Sequence, residues 1–179
     1  GVKEWQTGSV EAIEVENSTS SVTWNAGWYV VTDPDVTLSK GAVCNGAVHL
    51  ILADGAKLTA TAEEDNTPGI QVSGEGNSLA IYAQSTLASV GQLFAIGGLQ
   101  CAGIGGGNGQ DGSNITINGG IVTAKSISGA AGIGGGNGGS GTNITINGGT
   151  VTARTAGDAA GIGGGKGGSG TDITINGGT

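Results

Sequence analysis

"AAGIGGGNGGSGTNITINGGTVTA", residues 130–153, decides the fold. Glycine dominates it, interrupted by one short "ITI" run. Glycine inside an element costs chain entropy and offers no side chain to bury. The stretch is therefore either a ligand loop or a repeated building block. Self-similarity separates the two. "CAGIGGGNGQDGSNITINGGIVTA" occupies residues 101–124 and "AAGIGGGKGGSGTDITINGGT" residues 159–179. Ile104, Ile133 and Ile162 are 29 apart, as are Ile115, Ile144 and Ile173, and so are Asn118, Asn147 and Asn176. Three copies in constant register, without insertions, make a building block.

A weaker form reaches further back. "VHLILADGAKLTA" (residues 48–60) and "SLAIYAQS" (residues 78–85) have the strand pattern without the glycines. Leu50 to Leu79 and Leu52 to Ile81 are again 29 apart. From Ile81 to Ile117 the step is 36, which predicts one coil with a seven-residue insertion near Thr86 to Gly91. Leu93 to Val122 and Ala95 to Ala124 return to 29, so the period governs the chain from Val36 onward.

Within one period, Ile144 and Ile146 point to one face and Thr145 to the other, which is strand alternation. "TVTA" alternates again, with Val151 and Ala153 inward, and "AGIG" offers a single inward Ile133. Glycine- and asparagine-rich turns join the three strands, and no 3.6-residue pattern appears. Three short strands per period, stacked coil on coil, predict an all-β, right-handed parallel β-helix. Like stacks on like: columns of isoleucine, valine, alanine, and an asparagine ladder at Asn118, Asn147 and Asn176, expected to hold an inner turn. Glycine lets the coil turn tightly and keeps one wall thin where coils pass closely.

Residues 1–35 show no match to this period and read as an N-terminal cap of strands on a β-helix of residues 36–179 that stops in mid-repeat. A solenoid end is strand-ready and needs an atypical cover. Trp24, Trp28 and Tyr29 suit that cover's packing. The competing reading is a sugar-stacking platform, since aromatic faces suit pyranose rings. Glu63, Glu64 and Asp65 form a charged loop, read as solvated surface or as a second glycan contact.

Nucleotide and metal readings fail on residue identity. Around Lys166 a phosphate loop would need glycine at Ala160 and Ser or Thr at Gly167. Gly134, Gly136 and Gly139 match a dinucleotide fingerprint only because their surroundings are glycine; no helix follows. "GGNGQDG" (residues 106–112) resembles a calcium-binding nonapeptide, but Ser113 stands at its apolar position and Ser140 and Ser169 replace Asp111. Cys44 and Cys101 fall about two coils apart, roughly 9.6 Å, too far for a disulfide, so two free buried thiols are expected. The single His49 lies opposite Leu50 without a second ligand cluster. No catalytic, cofactor or metal residue is predicted.

The net charge is −8, and 11 of the 14 acidic residues lie at or before Glu75. Without a basic stripe, nucleic acid is not an expected partner. No apolar run approaches the ~18 residues of a membrane-crossing helix. With aromatics at 3 %, stacked sugar binding along the repeats themselves is disfavoured.

"GWYVVTDPDVTLS", "VHLILADGAKLTA", "NSLAIYAQS", "AGIGGGNGG" and "ITINGGTVTA" together resemble the glycine-rich repeat regions of large secreted or wall-anchored bacterial surface proteins. The resemblance covers nearly all of residues 28–179. It implies a β-helix of pectin-lyase-like shape, an extracellular or cell-surface location, and a structural or adhesive role, and it brings no catalytic residues. The alternatives are a carbohydrate-active β-helix, or a module binding polysaccharide, host-surface glycan or ice. Carbohydrate-active β-helices group carboxylates on one outer sheet; here the outward positions are Thr116, Thr145, Thr123 and Thr152. Ile121 interrupts the Thr-x-Thr pattern an ice-ordering array would need. An uncovered last coil also predicts end-to-end self-association through its strand edges.

Overall fold

The computed structural model describes residues 2–5, 10–62, 66–86 and 89–179. Every element in them is a strand. β1 (Val2–Trp5) pairs antiparallel with β2 (Val10–Glu14), and from β2 onward every ladder is parallel. β3 (Val22–Val31) and β4 (Val36–Leu38) make one coil; β5 (Ala42–Leu52) and β6 (Lys57–Thr61) make the next. Three coils of three strands follow: β7 (Ile70–Gln71), β8 (Ser78–Ala83), β9 (Gln92–Gly97); β10 (Ile104–Gly105), β11 (Gly112–Ile117), β12 (Ile121–Ser126); β13 (Ile133–Gly134), β14 (Gly141–Ile146), β15 (Thr150–Thr155). β16 (Ile162–Gly163) and β17 (Gly170–Ile175) complete the described chain.

The short strands β7, β10, β13 and β16 stack as one face, β8, β11, β14 and β17 as a second, and β4, β6, β9, β12 and β15 as a third. β5 is long enough to serve two faces, its start pairing with β7 and its end with β8. In later coils a glycine-rich corner splits that strand in two. The protein is a right-handed parallel β-helix, the hand that parallel crossovers take.

The columns expected from the repeat form the core. Ile104 sits on Ile133 and Ile133 on Ile162, and Leu93, Val122 and Val151 line up on the third face. Leu79, Ile115 and Ile144 stack on the second, each at most 1 % exposed. Burying columns of aliphatics is what holds coil on coil. Ile173 and Ile175, on β17, are 36 % and 66 % exposed.

The predicted insertion is correct: Ile81 pairs with Ile117, a step of 36. The register one coil earlier is not. Val48 pairs with Leu79 and Leu50 with Ile81, a step of 31 rather than 29. The extra two residues keep the same side chains inward, so alternation alone does not distinguish the two registers. The parallel ladder also begins upstream of Val36. Val22 pairs with Ala42 and Trp28 with His49, steps of 20 and 21. These first coils are shorter, so they leave no signal at the period of the later ones.

The glycine wall has a steric cause. Gly105, Gly134 and Gly163 hold φ of +136°, +129° and +133°, and a Cβ on Gly134 would run into the carbonyl of Gly163 in the next coil. Gly136 has an ordinary backbone, yet its Cβ would overlap the carbonyl of Gly107 in the coil before. The glycines are building material, as the repeat implied.

Candidate functional site

Plain alternation would put Trp24 and Trp28 on one face, but a register shift in β3 between Asn25 and Gly27 turns Trp24 and Tyr29 inward and Trp28 outward. Trp24 (2 % exposed) and Tyr29 (6 %) lie in the core, rings 5.5 Å apart. Tyr29 Oη donates to Asn25 O at 3.1 Å, and burial raises its pKa above the usual phenol value. Neither ring is available to a glycan, which corrects two of the three aromatic contacts suggested by the sequence. Glu63, Glu64 and Asp65 lie outside the described residues.

Trp28 faces outward and is only partly buried. Parallel pairing sets it beside His49, and the two rings stack at 4.3 Å and 18°. Tyr82, two residues beyond the partner of His49 on β8, completes the group, 5.4 Å from Trp28 and 6.1 Å from His49. Tyr82 Oη lies 3.4 Å from His49 Nδ1. Three rings from three coils thus form a strip on the outer face of the long-strand sheet.

Tyr82 alone of the three also lines a groove of about 580 Å³, within the usual ~300–1,000 Å³ of ligand sites. Its polar walls are Gln84, Ser85, Asn118 and Thr150, and Gly119 and Gly148 form a bare floor. No Lys, Arg, Asp, Glu or His lines it among the described residues. The wall is fixed from behind. Ser85 Oγ donates to Asp54 Oδ2 at 2.7 Å, and Gln84 Oε1 accepts from Asp54 N at 3.0 Å. Asp54 Oδ1 is buried with no hydrogen-bond partner among the described residues.

The asparagine ladder borders this groove. Asn176 Nδ2 donates to Asn147 Oδ1, and Asn147 Nδ2 to Asn118 Oδ1, each at 2.8 Å. Asn147 and Asn176 are exposed and Asn118 half-buried, so the ladder runs along the outer edge rather than inside the turn. It joins side chain to side chain and, among the described residues, satisfies no buried backbone group. In the coil before Asn118, Tyr82 takes the ladder's place, and Asn118 N donates to Ile81 O at 2.8 Å. Asn118 Nδ2 therefore has no partner among the described residues.

A second ladder is not evident from the repeat alone. Asn114, Asn143 and Asp172 hold φ of 57°, 52° and 53°, the left-handed region where Asn and Asp are tolerated. Asn143 Nδ2 donates to Asn114 Oδ1 at 2.8 Å, and Asn114 Nδ2 to Asn77 O at 3.1 Å. A signal for it exists in the sequence: an Asn or Asp immediately precedes each "ITI".

Cys44 and Cys101 are free and buried, as expected. Desolvation pushes the Cys44 thiol up to about 12. Cys101 Sγ donates to Asn66 O at 3.1 Å, and burial raises its pKa, against a backbone hydrogen bond from Asn108 that lowers it. No group of three or more His, Cys, Asp and Glu gathers among the described residues.

Residues 91–108, 115–137 and 144–166 match the family model described as a beta helix repeat. The chain carries a beta-helix repeat region. No curated protein and no solved structure matches it. The three matched segments follow the coils, each running from a second-face or third-face strand through the next glycine corner.

Proposed function

We propose that this beta-helix repeat region is a non-catalytic structural and adhesive module of an extracellular bacterial surface protein. The observation that carries the reading is what the repeat preserves. Among the positions identical from one repeat to the next are the inward isoleucines, the wall glycines and the asparagine ladder, all of which stack one coil on the next. Side chains displayed between them at Thr116, Thr145 and Thr174 form a uniform outer face. A rod built this way transmits load and sets a distance, and copies add length without new design. The resemblance to glycine-rich surface repeats supports the location. Antibodies raised against residues 11–179 should label intact, unpermeabilised cells of the source bacterium, and surface proteolysis should remove the label. Labelling only after permeabilisation would overturn the reading.

A further inference from the structure

The groove beside Tyr82 has more chemistry than a spacer needs. Trp28 and His49 occupy each other's ring faces, whereas Tyr82 turns toward an open groove. One coil further on, Asn118 Nδ2 is the unused donor at the end of a chain of aligned amides. Such a chain polarises its members, so its terminal N–H is a strengthened donor. Gln84, Ser85 and Thr150 add amide and hydroxyl groups around the same space. An aromatic face with amides and hydroxyls, and no ionisable group but the phenol, suits a ligand with apolar ring faces and neutral hydroxyls. A carboxylate or ammonium would lose water there and find no counter-charge.

We propose that this groove binds a neutral polysaccharide, one pyranose stacking on Tyr82 and its hydroxyls bonded by Asn118 Nδ2, Gln84 and Thr150. Lining residues from three successive coils (Tyr82, Asn118, Gly148) give the groove a run of roughly 10 Å along the axis, enough for more than one sugar. Trp28 and His49 act as positioning residues that fix the Tyr82 ring. This site deepens the adhesive reading and rests on it.

The test is native affinity electrophoresis through gels containing xyloglucan, galactomannan, mixed-linkage β-glucan or the anionic polygalacturonate. At least one neutral polymer should retard the protein. Tyr82→Ala should weaken that retardation roughly tenfold. Asn118→Ala should weaken it severalfold, and Tyr82→Phe should retain it. Thr174→Ala, distant on the same sheet, should match the parent. Circular dichroism checks each variant's fold; if Tyr82→Ala does not fold, Asn118→Ala and Tyr82→Phe carry the test. Absence of retardation by every neutral polymer, retardation by polygalacturonate alone, or unchanged retardation in folded Tyr82→Ala or Asn118→Ala would overturn the proposal. Surface labelling of cells is independent of this outcome, so the site and the adhesive reading fail separately.

Discussion

Gly136→Ala isolates the steric origin of the glycine wall, the close passage of one coil over the next. Gly136 does not need a left-handed backbone, so the usual conformational reason for glycine is removed. The added methyl would overlap the Gly107 carbonyl of the adjoining coil. Reaching ordinary van der Waals distance requires the coils to part by on the order of 1 Å. Nearby backbone bonds hold them together, among them Gly136 N to Gln110 O at 3.0 Å and Gly109 N to Asn137 O at 2.8 Å. Overpacking costs about 1–3 kcal/mol, and a weakened buried backbone bond about as much again. The expected loss is about 2–6 kcal/mol, a fall in Tm of roughly 4–24 °C for a chain of this size. Gly138→Ala is the comparison. Its φ is +80° but its methyl would come no nearer than 4.0 Å to anything, so it costs only the left-handed strain of about 1–2 kcal/mol. Thermal melts followed by far-ultraviolet circular dichroism rank the two. A Gly136→Ala protein melting no lower than Gly138→Ala would refute the contact argument.

Three smaller effects follow from the same geometry. Asn147→Ala removes both ladder bonds from the central rung, but the ladder is exposed, so the loss should be about 1–2 kcal/mol in a urea titration; a loss above about 4 kcal/mol would mean the amide holds a buried group after all. Cys44 should resist a thiol reagent at pH 8 in the native state and react once unfolded; rapid native labelling of Cys44 contradicts its burial. Because its folded pKa is raised from 9.0 to about 12, its contribution to stability is intact below about pH 9 and is lost as pH rises toward 12. Replacing Cys44 by Ala should flatten the alkaline decline in Tm, and an unchanged decline would assign it to other groups.

The repeats were legible because identical residues at a fixed step can stack in only one register. Ile115 on Ile144 and Val122 on Val151 follow directly. Upstream, Leu79 can sit on Leu50 or on Val48 with every aliphatic still inward, and the period alone favours the wrong one. β3 escapes the period because its coil is about a third shorter than a full repeat. The site was harder. Tyr82 in "AIYAQS" has no local signature, and its partners His49 and Trp28 lie far upstream on β5 and β3. Only the unequal steps of the early coils, 31 from Val48 to Leu79 and 21 from Trp28 to His49, bring the three rings together. Aromatic identity alone points equally to Trp24, Trp28 and Tyr29, whereas the register shift between Asn25 and Gly27, which the sequence pattern does not reveal, turns the first and last inward.

One repeat period makes one turn of the solenoid, and a pair of engineered cysteines measures this directly. Thr123 and Thr152 are register partners on β12 and β15. Paired Cα atoms on adjacent parallel strands lie about 4.8 Å apart, within the range a disulfide bridges. Thr123 and Arg154 share that face but sit one pleat off register, roughly 8 Å apart and beyond it. Under mild oxidation, Thr123→Cys with Thr152→Cys should form an intramolecular disulfide quickly and nearly completely. Thr123→Cys with Arg154→Cys should remain reduced. Cross-linking of the second pair in preference to the first would contradict the account.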